Sequence, residues 1–503
     1  MKYILAIDKG TSVVKCILYD QEGGECAIAL RESQTNTPKL GWHEEDLDSA
    51  WILICELIKE VIEKSKLDTR QIVGIGITSH MGGLIILDEN FTPLYPNVLW
   101  DDNRASSIIE KWDKSGQLEE IVKEGGQAIL PGLTIPLLKW FELNQPDLLS
   151  RAKVICNTKD YLVYRFTGTI GTDESDGGWM PFDVRKRSYS RRIWELAEVE
   201  QHAHLFPMIR KSDQVAGTLL PSVASELGLE AGIPVLTGIG DANASTIGVG
   251  VIKPGQGVSI IGTSLLNNII TETVIDEPKG LGFNIPTVES CWMRMLPNTG
   301  GGSINIKWLI DIFYKNDLDP YQSLEIDVTS SKIGSKGIMF HPYISNAGVV
   351  APFYHLGARA QFTGLHLGVE RSDIARAIFE GIAYSIRDCY EACPIPLEEV
   401  RLSGGAARSK ALCQIVADVL GKPVILTSGE EAAARGVAIL VSVAVGLYTT
   451  IHEAADHFIN IRQKYYPDLS HHQIYSQYFD LFKKTRIAME RIWTERQKIY
   501  STF

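Results

Sequence analysis

One pattern occurs twice in this chain: an apolar strand, a Gly-Thr-Ser turn and a returning strand. The first copy spans residues 3–19, and the second, at residues 258–270, follows about 250 residues later. In the first copy YILAI is an apolar run, Asp8-Lys9-Gly10-Thr11-Ser12 is a turn, and residues 13–19 lead back. In the second, residues 258–261 enter Gly262-Thr263-Ser264 and residues 265–270 return. A pattern recurring at such a distance predicts duplicated domains. Facing one another, such domains bring both turns to one cleft, where N–H groups from two sides can hold an anion. The length agrees, because 503 residues exceed what one core supports and predict two or more domains.

Composition narrows the partners. The formal charge of −12 is spread without long blocks of one sign, which argues against nucleic acid and against an anionic membrane surface. No apolar run reaches the roughly 20 residues needed to cross a bilayer, and the N-terminal run before Asp8 is too short for a signal peptide. The longest apolar run, residues 436–448, predicts a buried helix. Eight scattered cysteines without a CxxC pair or metal-ligand spacing predict a reducing compartment, the cytoplasm. A small-molecule enzyme fits best. If its ligand is anionic, backbone N–H groups, a few cations and a metal ion must compensate the charge.

Along the chain, a third strand is expected at residues 26–30, an amphipathic helix at 46–64 and an apolar strand at 72–78. That strand opens into Ser79-His80-Met81-Gly82-Gly83, in the same edge row as Asp8. Asp8 itself can hold a metal ion through water. Trp100-Asp101-Asp102-Asn103-Arg104 alternates acid and base, apt for clamping hydroxyl groups or for a plain cap and surface ion pair. Residues 158–162 (TKDYL) and 172–175 (TDES) cluster polar groups beside apolar segments. Residues 183–235 read as a helical, solvent-facing connection. Asp241 follows an apolar run and Gly238-Ile239-Gly240, at a strand end where a tight turn admits close approach, though alone it reads equally as a helix cap. Thr299-Gly300-Gly301-Gly302-Ser303 precedes an apolar helix, and a helix over 372–393 is expected to be structural. Residues 400–403 form a short strand entering Gly404-Gly405-Ala406-Ala407-Arg408-Ser409, then a helix over 410–420. This is either a nucleotide pocket with Ser409 on the base or ribose, or a tight connection.

The order DxGTS, GxGDAxA, GTS and GGAARS resembles the FGGY carbohydrate kinases of the actin/hexokinase/Hsp70 fold superfamily, over nearly the whole chain. Stretches such as TGGGSINIKWL and LSGGAARSKAL look most like erythritol kinases, with xylulokinases and L-xylulose/3-keto-L-gulonate kinases further away. The resemblance implies an α/β chain of two duplicated ribonuclease-H-like (actin-like ATPase) domains with a ligand cleft between them. Residues 1–244 would form the sugar-binding domain and 245–503 the nucleotide-binding domain, with a hinge between Asp241 and Thr263. It implies ATP and Mg²⁺ as cofactors and a small polyol or ketose as acceptor. Asp241 would be the general base, and Asp8 and Asp241 would serve the metal. Gly10, Thr11, Ser12, Gly262 and Thr263 would surround the phosphates, and Gly301, Gly405, Ala406 and Ser409 the adenosine. His80, Met81, Arg104, Asp241 and Asn243 would bind the sugar. Glycerol kinases carry Arg-Glu where His80-Met81 stand, which argues against glycerol. Homodimerisation stays open, and a non-catalytic sugar- or ATP-binding member of the superfamily is the alternative.

Overall fold

The computed structural model describes residues 1–500, which build two seven-stranded sheets. In the first, Glu25–Glu32, Val13–Asp20 and Tyr3–Lys9 run antiparallel to one another in that order; Ile72–Ser79 and Pro234–Leu236 then continue the sheet in parallel. The second sheet repeats the plan. Trp292–Asn298, Leu265–Thr271 and Gln256–Ile261 are antiparallel, and Glu399–Ser403 and Val424–Thr427 follow in parallel. The twice-used Gly-Thr-Ser pattern is therefore the first hairpin of each copy. The chain has the expected two-domain α/β architecture.

Tyr3–Lys9 is covered on both faces, as a strand with parallel pairing must be. Leu5 and Ile7 meet Trp51, Ile54 and Ile58 of the helix Leu47–Ser65, which Asp46 caps by accepting the Ser49 N–H at 2.8 Å. Ile4 and Ala6 face the opposite way, onto the helix Ala432–Ala444. That helix arrives from the far end of the sequence, and so does the helix Ile451–Phe458, whose Phe458 ring lies 6.1 Å from Tyr19. A cut at 244/245 thus separates the sheets but not the packing, because residues 432–458 rest on the first sheet.

The helix Asp241–Gly248 crosses Ala432–Ala444 at glycines. A Cβ on Gly248 would stand 1.8 Å from the Ala432 carbonyl oxygen, and one on Gly436 1.9 Å from that of Ala244. Only glycine permits this approach.

The stretch 183–235 is not a helical, solvent-facing connection. It supplies two strands of the first sheet, Val215–Thr218 and Pro234–Leu236, and buries Ile193, Ala197 and Leu205. The outer strand is half exposed, so its composition carries little apolar signal.

Candidate active site

Two cavities hold the two expected aspartates, Asp8 lining the first and Asp241 the second. The first, about 610 Å³, is lined by Asp8 and Lys15 from the first sheet and by Gly404, Gly405, Arg408 and residues 427–431 from the second half. The second, about 570 Å³, is lined by Asp241, His80, Met81, Thr11 and Trp100 from the first half and by Ser264, Phe283, Met295 and Tyr354 across the cleft.

Asp8 ends the central strand and is buried. Desolvation raises its pKa to about 6, opposed by the nearby Lys15. Asp241 is the first residue of its helix, and Gly238, at φ +78°, forms the turn before it. A Cβ on Gly238 would lie 2.1 Å from the Ile77 carbonyl oxygen. Burial, and after it the charge of Asp8, pushes Asp241 up to about 7, while the N–H groups at the helix start pull it down. A carboxylate poised near neutrality beside a pocket suits a general base.

His80 follows the strand Ile72–Ser79, and its Nε2 sits 3.0 Å from Thr158 Oγ1. Burial, with the charge of Lys9 second, pushes it down to about 3, so the ring is neutral. Met81 lies against the helix start, where a Cβ on Gly240 would touch its sulfur.

The duplicated turns do reach one cleft, since Thr11 and Ser264 both line the second pocket. Their placement differs from the expected phosphate cradle, because Gly10, Thr11, Ser12, Gly262 and Thr263 do not line the first cavity. The Gly10 N–H closes its own turn on the Val13 carbonyl, Thr11 Oγ1 accepts the Trp100 indole N–H at 3.0 Å, and Ser12 faces a separate groove beside His43. Of the residues expected around adenosine, only Gly405 lines that cavity. Ser409 caps the helix Lys410–Leu420 and donates to Glu325 at 2.6 Å; Gly301 is packed against Asn298 and Ser385; Ala406 leans on the second core.

Two expected sugar contacts are not brought to the pocket. Arg104 has no side-chain exposure: Asp102 holds it at 2.9 Å and Glu44 at 2.7 Å, with the Trp42 ring centre 4.1 Å away. Asn243 faces the domain boundary and donates to the Pro286 carbonyl at 3.1 Å. Conversely, Lys15, Trp179 and Phe283 escaped the sequence reading, and of the Trp100–Arg104 stretch it is Trp100 that lines the second pocket. Trp179 and Phe283 form an aromatic wall with ring centres 4.7 Å apart.

Duplicated sheets closing on a shared cleft, with a carboxylate facing each cavity, define a two-domain phosphotransferase of the actin-like ATPase fold. The description "FGGY family of carbohydrate kinases, N-terminal domain" matches residues 3–248, and its C-terminal counterpart matches residues 257–445. The chain belongs to the FGGY family of carbohydrate kinases. A xylulose kinase of Staphylococcus epidermidis is 29% identical over 95% of both chains, and an erythritol kinase of Brucella abortus 26% over 97% of both. The relatives thus include both the xylulose and the erythritol kinases that the short stretches resemble. The crystal structure of a ligand-bound xylulose kinase from Lactobacillus acidophilus superposes with a TM-score of 0.90, covering 98% of this chain and all of that one at 23% identity. The protein is a carbohydrate kinase, transferring phosphate from ATP to an alcohol group.

Proposed function

We propose that the chain transfers the γ-phosphate of ATP to a hydroxyl of a small, uncharged polyol or ketose held between Asp241 and His80. The observation that carries this reading is the division of labour between two adjoining carboxylates, Asp8 facing the first cavity and Asp241 the second. On this reading ATP lies between Gly404-Gly405 and Lys15, and its γ-phosphate points along Asp8 toward the acceptor.

Phosphoryl transfer needs alignment and charge stabilisation more than covalent help. Asp241 orients the attacking hydroxyl and accepts its proton at a carboxylate oxygen, a role suited to a pKa near 7. The oxygen donors of Asp8 and Asp241 suit Mg²⁺, which takes one or two carboxylates and completes its shell with phosphate and water. When bound, Mg²⁺ supplies neutralisation of phosphate charge.

The acceptor is uncharged because the second pocket offers no Lys or Arg and its histidine is neutral. Trp179, Phe283 and Met295 offer an apolar wall to the C–H face of a sugar. Xylulose and erythritol, named for two of the relatives, fit these terms; another relative, 26% identical, is named for L-xylulose and 3-keto-L-gulonate, and against that sugar acid stands the second pocket's lack of a cation. We place the sugar in the domain of residues 1–244, the nucleotide in that of 245–503, and the reaction in the cytoplasm. All eight cysteines are free thiols, and among the described residues no helix is long and apolar enough to cross a membrane.

The test is acceptor-dependent ADP release over tetritols, pentitols, ketopentoses and aldonates. Turnover is expected with neutral acceptors and not with aldonates. Asp241→Asn should bind ATP and sugar but turn over about 10²-fold slower or worse; near-normal turnover would remove Asp241 from the role of base.

A further inference from the structure

We infer that Ser175, anchored by the buried charge cluster of Lys159, Asp160, Asp173 and Asp176, is a positioning residue that fixes where Asp241 stands; the inference rests on the proposed role of Asp241 as base. Ser175 is fully buried. Its hydroxyl donates to Asp173 Oδ2 at 2.7 Å and accepts the Gly240 N–H at 2.9 Å. Because the hydroxyl proton is committed to Asp173, the lone pairs face Gly240, so the direction of the chain of bonds is set. Gly240 immediately precedes Asp241 and caps its helix.

The anchor is substantial. Asp173 Oδ2 also accepts the Ser175 N–H at 2.9 Å and the Ser212 hydroxyl at 2.7 Å. Lys159 Nζ lies 2.8 Å from Asp160, 3.1 Å from Asp173 and 3.2 Å from Asp176, and all four side chains have zero exposure. One ammonium among three carboxylates is a costly group to bury. None of the four lines either cavity, so the cluster is not used on a ligand. What it does touch is the turn that carries Asp241. The Lys159 stem packs where a Gly238 Cβ would stand, at 3.0 Å, and across that turn Thr78 donates to the Ile239 carbonyl at 2.6 Å. Thr158, next to Lys159, holds His80. The clusters at 158–162 and 172–175 thereby orient both ends of the acceptor site without entering it.

The consequence is kinetic, since a misplacement of 1 Å can cost about 10²-fold. Ser175→Ala and Ser212→Ala each remove one hydrogen bond to Asp173, but only the first releases Gly240. In the full-length enzyme, with D-xylulose and erythritol as probes, Ser175→Ala should lower kcat about 10- to 100-fold and leave the KM for ATP within about two-fold. Hydrogen exchange at the Gly240 amide should accelerate in that variant, and Ser212→Ala should stay near wild type on both measures. Added to Asp241→Asn, Ser175→Ala should cost little more, because both act through one group. Equal behaviour of the two serine variants, or a multiplicative loss in the double variant, would overturn the inference. A wild-type enzyme inactive on both probes would instead count against the proposed function, and the exchange comparison would still decide whether Ser175 pins Gly240.

Discussion

At the scale of single residues, Lys15 shows what pairing adds to sequence. It lies on Val13–Asp20 directly across from Asp8, with Nζ 4.0 Å from Asp8 and 2.5 Å from Glu431 at the start of Ala432–Ala444. In the sequence it is one lysine in an apolar strand, and only the cross-strand register places it beside Asp8 in the first cavity, which Arg408 and Arg462 also line. Entering polyphosphate competes with Glu431 for that ammonium. Lys15→Ala should therefore raise the KM for ATP about tenfold or more, in line with the loss of a charge-assisted contact, and Lys15→Arg should recover part of it. Initial rates over an ATP titration check this, and an unchanged KM removes Lys15 from the phosphates. Asp8 and Asp241 were legible because glycine turns after apolar runs mark strand ends. Arg104 was legible as a charge but not as a partner. Its clamp to Asp102 looks in sequence like a hydroxyl clamp, and Glu44, sixty residues away, cannot be paired with it by spacing. Ser409 misled for a similar reason: its hydroxyl caps a helix and meets Glu325 from a distant segment.

At the scale of elements, the hairpins and the principal helices followed from periodicity. The helix expected at 46–64 is Leu47–Ser65, that at 372–393 is Arg371–Glu391, and the helix expected at 436–448 is Ala432–Ala444, begun and ended four residues earlier. Which sheet an element joins is not periodic information. Ala432–Ala444 rests on the first sheet because Gly74 and Gly76 leave room for Val437 and Val441 in a strand otherwise rich in isoleucine. Gly436 in a helix interior reads as a weakness, yet it is one of two glycines at which the helix that presents Asp241 packs against backbone. Gly436→Ala, which would relieve helix propensity in isolation, should instead force the two helices apart. Overpacking of about 1–3 kcal/mol, at roughly 2–4 °C each, predicts a melting temperature lower by about 5 °C. Thermal unfolding monitored by calorimetry checks the sign; a variant as stable as wild type would show that the crossing adjusts freely.

At the scale of the whole molecule, the duplicated hairpin implied a cleft, and the chain's return to the first sheet determines how that cleft can move. The domains are tied by the crossing of Asp241–Gly248 with Ala432–Ala444. A second tie joins Asn284 to the Gly126 carbonyl at 2.7 Å and the Trp292 indole to the Val184 carbonyl at 2.8 Å. Neither tie is visible in sequence, since each joins segments more than a hundred residues apart by single side-chain-to-backbone bonds or by glycine packing. His80, Met81 and Trp100 line one wall of the second pocket and Ser264, Phe283 and Met295 the other, so that pocket draws its walls from both domains. Closure would exclude water, which in the acceptor position would hydrolyse ATP to no purpose. It would also carry the two Gly-Thr-Ser turns toward the first cavity, which they do not line. A non-hydrolysable ATP analogue and a neutral acceptor together should therefore lower the radius of gyration measured by small-angle scattering. Either ligand alone should do less, because each fills only one of the two cavities. Full compaction with the nucleotide analogue alone would separate closure from acceptor binding, and no compaction with both would mean that the phosphates are met by the open cleft as it stands.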